Sequence, residues 1–263
     1  MTLGLSAEAY SEFEENWKGV TGVEFYSDKV NSGKKEENTE NGEITEMRGL
    51  YPDNSSMKNL ALFTQHSFGF RSFNFNLGGR YNTVSIHSLD QEFGEVKLTP
   101  SSLVANISAQ YYFSPLQQII LSAYSAFRAP NINDISSFGA FDYGIEIPSP
   151  GLSPEKSITI ESGYKKSTEQ FSMVITAFNT RLNNQIVREK TTFKGSEYLD
   201  GERVYTKQNL ARSTIRGIEF ESEILLNPKF SLINNLTWLH GKNMETGEQI
   251  GRASCRERVC VGV

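Results

Sequence analysis

No cysteine precedes Cys255, and both cysteines of the 263-residue chain fall in its last stretch, at Cys255 and Cys260. The body therefore carries no disulfide framework and no thiolate metal site. The three histidines, His66, His87 and His240, are far apart, and there is no HExxH, no GxSxG and no phosphate-binding glycine loop. These absences exclude the common hydrolase, metalloprotease and nucleotide-binding chemistries, so no catalytic residue, metal ligand or cofactor is expected. Charge is nearly balanced, 26 Lys+Arg against 31 Asp+Glu, which gives no basic surface for nucleic acid. No apolar run approaches the ~20 residues of a membrane-spanning helix. Met1 is followed by TLGLSAEAY, without a basic region or a continuous apolar core, so no secretory signal is read there. The expectation is an internal piece of a longer protein.

What the sequence does have is alternation. Its mean hydropathy of −0.42 suggests a soluble protein, but a transmembrane barrel strand has only one apolar face, so its average is low. Gln118–Lys165 organises the rest. Ile119, Leu121 and Ala123 share one face of a strand, and Ser122, Tyr124, Ala126 and Arg128 the other. Pro130 ends the strand, and a long aromatic loop from Ala129 to Pro154 follows before a second alternating strand. The same pattern recurs along the chain. Leu3, Leu5, Ala7 and Ala9 share a face. Phe75, Leu77 and Tyr81 oppose Asn74, Asn76, Arg80 and Asn82, and Leu103, Ala105, Ile107, Ala109, Tyr111 and Phe113 oppose Asn106, Ser108 and Gln110.

The connections alternate in length. Long ones are expected at about 31–56, 88–100, 129–156 and 182–210, and short ones near 67–72, 114–117, 166–170 and 226–229. Outer-membrane barrels have this rhythm, with short periplasmic turns and long extracellular loops. A soluble sandwich has no reason to sort its loops. Glu219, Glu221 and Glu223 share a face opposite Ile218, Phe220 and Ile224. Charges facing lipid cost on the order of a few kcal/mol each near mid-bilayer, so this face must meet water. Phe230, Leu232, Leu236 and Trp238 are expected outward. Phe68, Phe70, Phe73, Tyr111, Phe113, Phe171 and Phe230 crowd the short-turn end as an aromatic girdle.

The FRAP box at Phe127–Pro130 and the run PSPGLSPEKS at Pro148–Ser157 resemble the paired FRAP and NPNLKPE boxes of TonB-dependent outer-membrane receptors. NLGGRYN at Asn76–Asn82, LNNQIVRE at Leu182–Glu189 and ARSTIRGIEFESE at Ala211–Glu223 resemble barrel strands of the same family. The resemblance implies an all-β, antiparallel up-and-down transmembrane barrel of roughly 22 strands around a plug, of which this chain holds about nine or ten at the usual strand length. It implies active uptake of a scarce small molecule, an iron chelate, haem or a corrinoid, across the outer membrane of a Gram-negative bacterium. The implied partners are outer-membrane lipid, a plug domain that this chain does not contain, and a TonB-type energy-transducing protein. On the strand near 171–181, where Met173, Ile175 and Ala177 compete with Val174 and Phe178, the resemblance puts Val174 and Phe178 outward. Candidate ligand contacts are Arg128, Asn131, Phe138, Phe141 and Tyr143 in the apex loop. Haem receptors with these boxes carry a histidine between them, and this chain has none between Phe127 and Leu152. Tyr143 can in principle serve, since tyrosine ligates haem iron in some proteins. His87 and His240, near the outer ends of their strands, are the remaining candidate haem contacts, though both suit a rim position. The alternatives are a passive porin and a soluble β-rich binding or adhesion module. Residues 1–249 are expected to form the partial barrel. The tail at 250–263 resembles translated sequencing-adapter read-through and is set aside as non-native.

Overall fold

The computed structural model describes residues 1–90 and 93–250 and the backbone of 258–261. Ten long strands dominate these residues: β1 (Thr2–Glu14), β2 (Trp17–Val30), β3 (Ser55–Phe70), β4 (Phe73–Asp90), β5 (Ser101–Ser114), β6 (Gln117–Arg128), β7 (Glu155–Ser167), β8 (Phe171–Lys190), β9 (Glu202–Asn227) and β10 (Phe230–Asn243). Each pairs antiparallel with its neighbours in chain order. Among the described residues β1 and β10 do not pair with one another, so the sheet is an open part of a barrel. The backbone of Arg258–Val261 lies along Leu232–Asn235. The rest of the adapter-like tail beyond Ile250 is outside the described residues.

Register fixes which side chains share a face, because directly paired residues point the same way. Ile218 faces Ala177, and the row continues through Ser162, Leu121 and Ala109 to Phe75. Glu219 lies in a different row, with Thr176, Gly163, Ile120, Gln110 and Asn74. One face is thus apolar and the other carries the glutamates, as the alternation implies. The apolar face is not covered: Leu103 is 75%, Ile107 52%, Leu121 55% and Ile160 61% exposed. A water-soluble sandwich would bury such a row against a second sheet, whereas a membrane strand leaves it to lipid. On β8, β9 and β10 the outward row runs from Phe171 to Ala177, Ile224 to Ile218 and Leu232 to Trp238, interrupted only by Ser222 and Asn234, which hydrogen-bond each other at 3.2 Å, and then gives way to Asn179, Arg216 and His240. Those stretches span ~20 Å at ~3.3 Å per residue, close to the ~25 Å apolar band of a transmembrane barrel.

The phase of β8 differs from the expectation that Val174 and Phe178 point outward. Val174 pairs with Glu221 and Phe178 with Gly217, on the glutamate face, while Met173, Ile175 and Ala177 face lipid. Phe178 is tolerated on the wet face because its ring fills the space above a glycine. A Cβ on Gly217 would stand 2.5 Å from the Phe178 ring and 2.7 Å from Leu239. A large apolar residue that covers a neighbouring glycine carries no information about which solvent its strand face meets.

Short connections are tighter than the sequence suggests; Arg71–Ser72, Pro115–Leu116 and Pro228–Lys229 are two-residue turns. Phe68, Phe73, Phe75, Tyr111 and Phe113 form a continuous chain of ring contacts at this end, with centroids 4.8 to 5.8 Å apart. The long connections are more ordered than loops. Residues 31–54 carry the hairpin Gly33–Glu37/Ile44–Arg48, and Gly94–Leu98 folds back on β4. The expected 182–210 loop is mostly strand, since β8 continues to Lys190 and β9 begins at Glu202. Of its 26 residues, β9 needs only ~9–11 to cross a bilayer, so the sheet continues beyond the apolar band. There it acquires a core: Val84, Ile86, Val96, Ile132, Ile135 and Leu152 are buried together.

Candidate functional site

That core seats the apex loop between β6 and β7. Asn131 starts a one-turn helix, α1 (Ile132–Ser136), by accepting a hydrogen bond from the Asp134 backbone N–H, and Asp134 in turn accepts from the Asn131 N–H. This reciprocal cap satisfies donors that a short helix otherwise leaves open. Ile132 and Ile135 then point into the core. The chain turns back through Gly139–Phe141 and Gly144–Ile147, and the latter runs parallel to Val204–Thr206 of β9. Glycine is required at 144. Its φ is +152°, and a Cβ there would meet the Arg203 carbonyl oxygen at 2.2 Å.

A buried ionic cluster fastens the loop to four strands. Arg128, at the end of β6, donates from Nη1 to Asp134 and from Nε to Glu155 of β7, both at 2.6 Å. Glu155 also accepts from the Ile186 N–H of β8 at 2.7 Å. Lys207 of β9 lies 3.1 Å from Glu146 and 3.5 Å from Asp134, and donates to the Asn133 carbonyl at 2.9 Å. Arg188 of β8 and Ser137 also donate to Glu146. Asp134, Glu146 and Lys207 are all buried, where an unpaired charge is costly and a paired one must be hydrogen-bonded. Burial pushes the Glu146 carboxyl up, but Ser137, Arg188 and Lys207 together hold it below the usual carboxylate range. Glu155 behaves likewise: burial raises it, and Arg128 with the Ile186 amide outweighs that effect. The bond to Glu155 keeps the Arg128 guanidinium more firmly protonated than a free arginine.

The candidate residues fall into different settings. Arg128 and Asn131 belong to the ionic cluster and the helix cap. Phe138 packs against Phe93 at 4.9 Å, a ring from the neighbouring loop, under the Arg48 guanidinium. Arg48 itself pairs with Asp90. Phe141 meets Tyr205 edge-on at 5.3 Å beneath the Arg188 guanidinium. Tyr143, at the tip, is 77% exposed. The two histidines are not brought together. His87 faces away from the apex core and bonds Glu95 of the folded-back hairpin at 3.0 Å, whereas His240 stacks on Trp238 at the upper edge of the apolar band. Among the described residues no group of His, Cys, Asp or Glu could hold a metal ion. Glu146, Arg188 and Lys207 were not singled out by the sequence. The N-I-N-D spacing at Asn131–Asp134 is a signal that could have revealed the cap, but the cluster itself joins residues up to 79 apart.

An up-and-down antiparallel sheet with an apolar outer band, a polar inner face, two-residue turns at one end and structured loops at the other is part of a transmembrane β-barrel. The chain belongs to the TonB-dependent receptor-like β-barrel family, whose sequence pattern matches residues 2–254. Similar solved structures include the copper transporter OprC (TM-score 0.78, 13% identity, 95% of this chain and 38% of that one). Others are the FrpB iron transporter from Neisseria meningitidis (0.67, 11%, 95% and 37%) and a double mutant of the Serratia marcescens hemophore receptor HasR in complex with its hemophore HasA and heme (0.69, 15%, 95% and 42%). The chain spans about two fifths of the length of each. Among curated protein sequences none matches.

Proposed function

We propose that these strands are part of the outer-membrane barrel of an active-transport receptor that takes up a scarce ligand, an iron chelate, haem or a corrinoid. Energy comes from a periplasmic TonB-type partner acting on a plug carried by the longer chain. Residues 1–249 belong to the barrel, and 250–263 are foreign to it. The observation that carries this reading is the family match combined with the uncovered apolar row facing away from Glu219, Glu221 and Glu223. Similar structures described as copper and iron transporters and as a hemophore receptor support uptake of a metal or a metal complex.

Within the apex loop the residues divide by role. Arg128 and Asn131 set the loop's shape through the ionic cluster and the cap. Phe138 joins it to its neighbour. Phe141, half-buried against Tyr205, and Tyr143, at the exposed tip, meet the ligand, with Tyr143 reaching furthest. His87 and His240 serve the rim.

The two edges of the open sheet carry a physical cost. Each unpaired backbone group in hydrocarbon costs several kcal/mol, and a strand edge holds enough of them to exceed the ~5–15 kcal/mol that stabilises a typical domain. These residues alone therefore neither insert nor transport. Cells lacking their own receptor and expressing only residues 1–249 should show no ligand-dependent uptake; uptake there would refute the proposal.

A further inference from the structure

The outward face of β1–β4 holds a cleft at the short-turn end that no part of the transport reading uses. It has a volume of about 500 Å³ and is walled by Trp17, Phe68, Phe70 and Phe75, with Glu14 and Asn16 at its mouth. The walls are held by neighbours on the same face. The Trp17 indole N–H donates to His66 Nδ1 at 3.3 Å, and His66 Nε2 bonds the Thr64 hydroxyl at 3.0 Å. Phe68 stacks on Phe75 at 5.2 Å. The two turns that frame the cleft are clasped together, because Asn16 donates to the Gly69 carbonyl at 2.7 Å while the Gly69 N–H donates to the Asn16 carbonyl at 2.8 Å. In the second turn the Arg71 guanidinium lies over the Phe70 ring, 5.2 Å from its centroid. The aromatic trough, open to the hydrocarbon side, thus has one carboxylate in its lining, Glu14, and one guanidinium, Arg71, against its Phe70 wall.

We propose that this cleft binds a single phospholipid with a primary-ammonium headgroup from the adjoining leaflet. An acyl chain lies along Trp17, Phe68 and Phe75, the phosphate pairs with Arg71, and the ammonium donates to Glu14. The Glu14 carboxylate selects the headgroup. An anionic lipid without the ammonium meets the Glu14 carboxylate unpaired, and a quaternary ammonium has no N–H to donate. The proposal rests on the membrane reading above.

The test uses the complete receptor that contains these strands, folded into vesicles of equal phosphatidylethanolamine, phosphatidylcholine and phosphatidylglycerol and then released in mild detergent for native mass spectrometry. Retained phosphatidylethanolamine should exceed either other lipid about three- to fivefold, which is what a partly exposed ion pair supports. Glu14→Gln should remove the preference, Arg71→Ala should lower retention of all three lipids together, and Glu219→Gln on the opposite face should change neither. Because these are surface substitutions, folding is checked in each variant by its gel mobility before and after heating. A folded, inserted receptor with no headgroup preference, a preference unchanged by Glu14→Gln, or a total retention unchanged by Arg71→Ala overturns the lipid site and leaves the transport reading standing. Failure of the wild-type receptor to insert overturns both.

Discussion

Lys207→Met tests whether the apex loop is held by buried charge. The substitution keeps the length of the side chain and removes the ammonium that bonds Asn133 and lies against Glu146 and Asp134. Removing one partner of a buried ion pair typically costs about 3–5 kcal/mol. Here the loss is smaller, because Glu146 keeps Arg188 and Ser137 and Asp134 keeps Arg128. About 2 kcal/mol is the reasonable figure, the desolvation left on a charge whose hydrogen-bonding is incomplete. That energy is local to the loop, whose backbone closes on itself through the Ser149 N–H to the Ile135 carbonyl at 3.0 Å. Hydrogen exchange on the complete receptor reads it directly: amides of residues 132–149 should exchange roughly 30-fold faster in the variant, and amides of the apolar band should not change. Unchanged exchange at Ser149 would refute the idea that Lys207 holds the loop down.

Two further outcomes follow from the same geometry. Glu146 and Glu155 are both held below the ordinary carboxylate range, so the stability they give the loop is fully present above the unfolded value and is lost as pH falls through their lower folded values. A spin label at Tyr143→Cys should gain mobility as the pH falls below the ordinary glutamate value; mobility that does not change with pH would contradict this. Gly217→Val places a branched side chain where Phe178 and Leu239 already lie within 2.7 Å, and should destabilise the refolded receptor by about 1–3 kcal/mol in urea titration. A midpoint equal to wild type would show that the two side chains do not fill the space above Gly217.

The strands were legible in the sequence wherever polar and apolar residues strictly alternate, as at Asn74–Asn82 and Ile218–Glu223, because one face must meet water and the other must not. Legibility failed on β8, where Phe178 shelters Gly217 of the adjacent strand, a partner that composition alone cannot reveal. It also failed in residues 182–210, whose charged sequence resembles a loop but whose strands extend past the band, where neither face is required to be apolar. At the candidate site, local features were readable: the proline breaks and the aromatic residues. The ionic cluster was not, since Arg128, Glu146, Arg188 and Lys207 are joined by strand pairing rather than by spacing, and each alone has the appearance of an ordinary surface charge.

The most direct test places single cysteines along residues 217–224 of β9 and 172–178 of β8 in the receptor folded into vesicles, each carrying a fluorophore exposed in turn to a lipid-borne quencher and a water-soluble one. Probes at 218, 220, 173, 175 and 177 should be quenched from the lipid, and those at 219, 221, 223, 174 and 178 from water. Quenching of positions 219 and 218 by the same reagent would contradict the assignment of one face to hydrocarbon and the other to water.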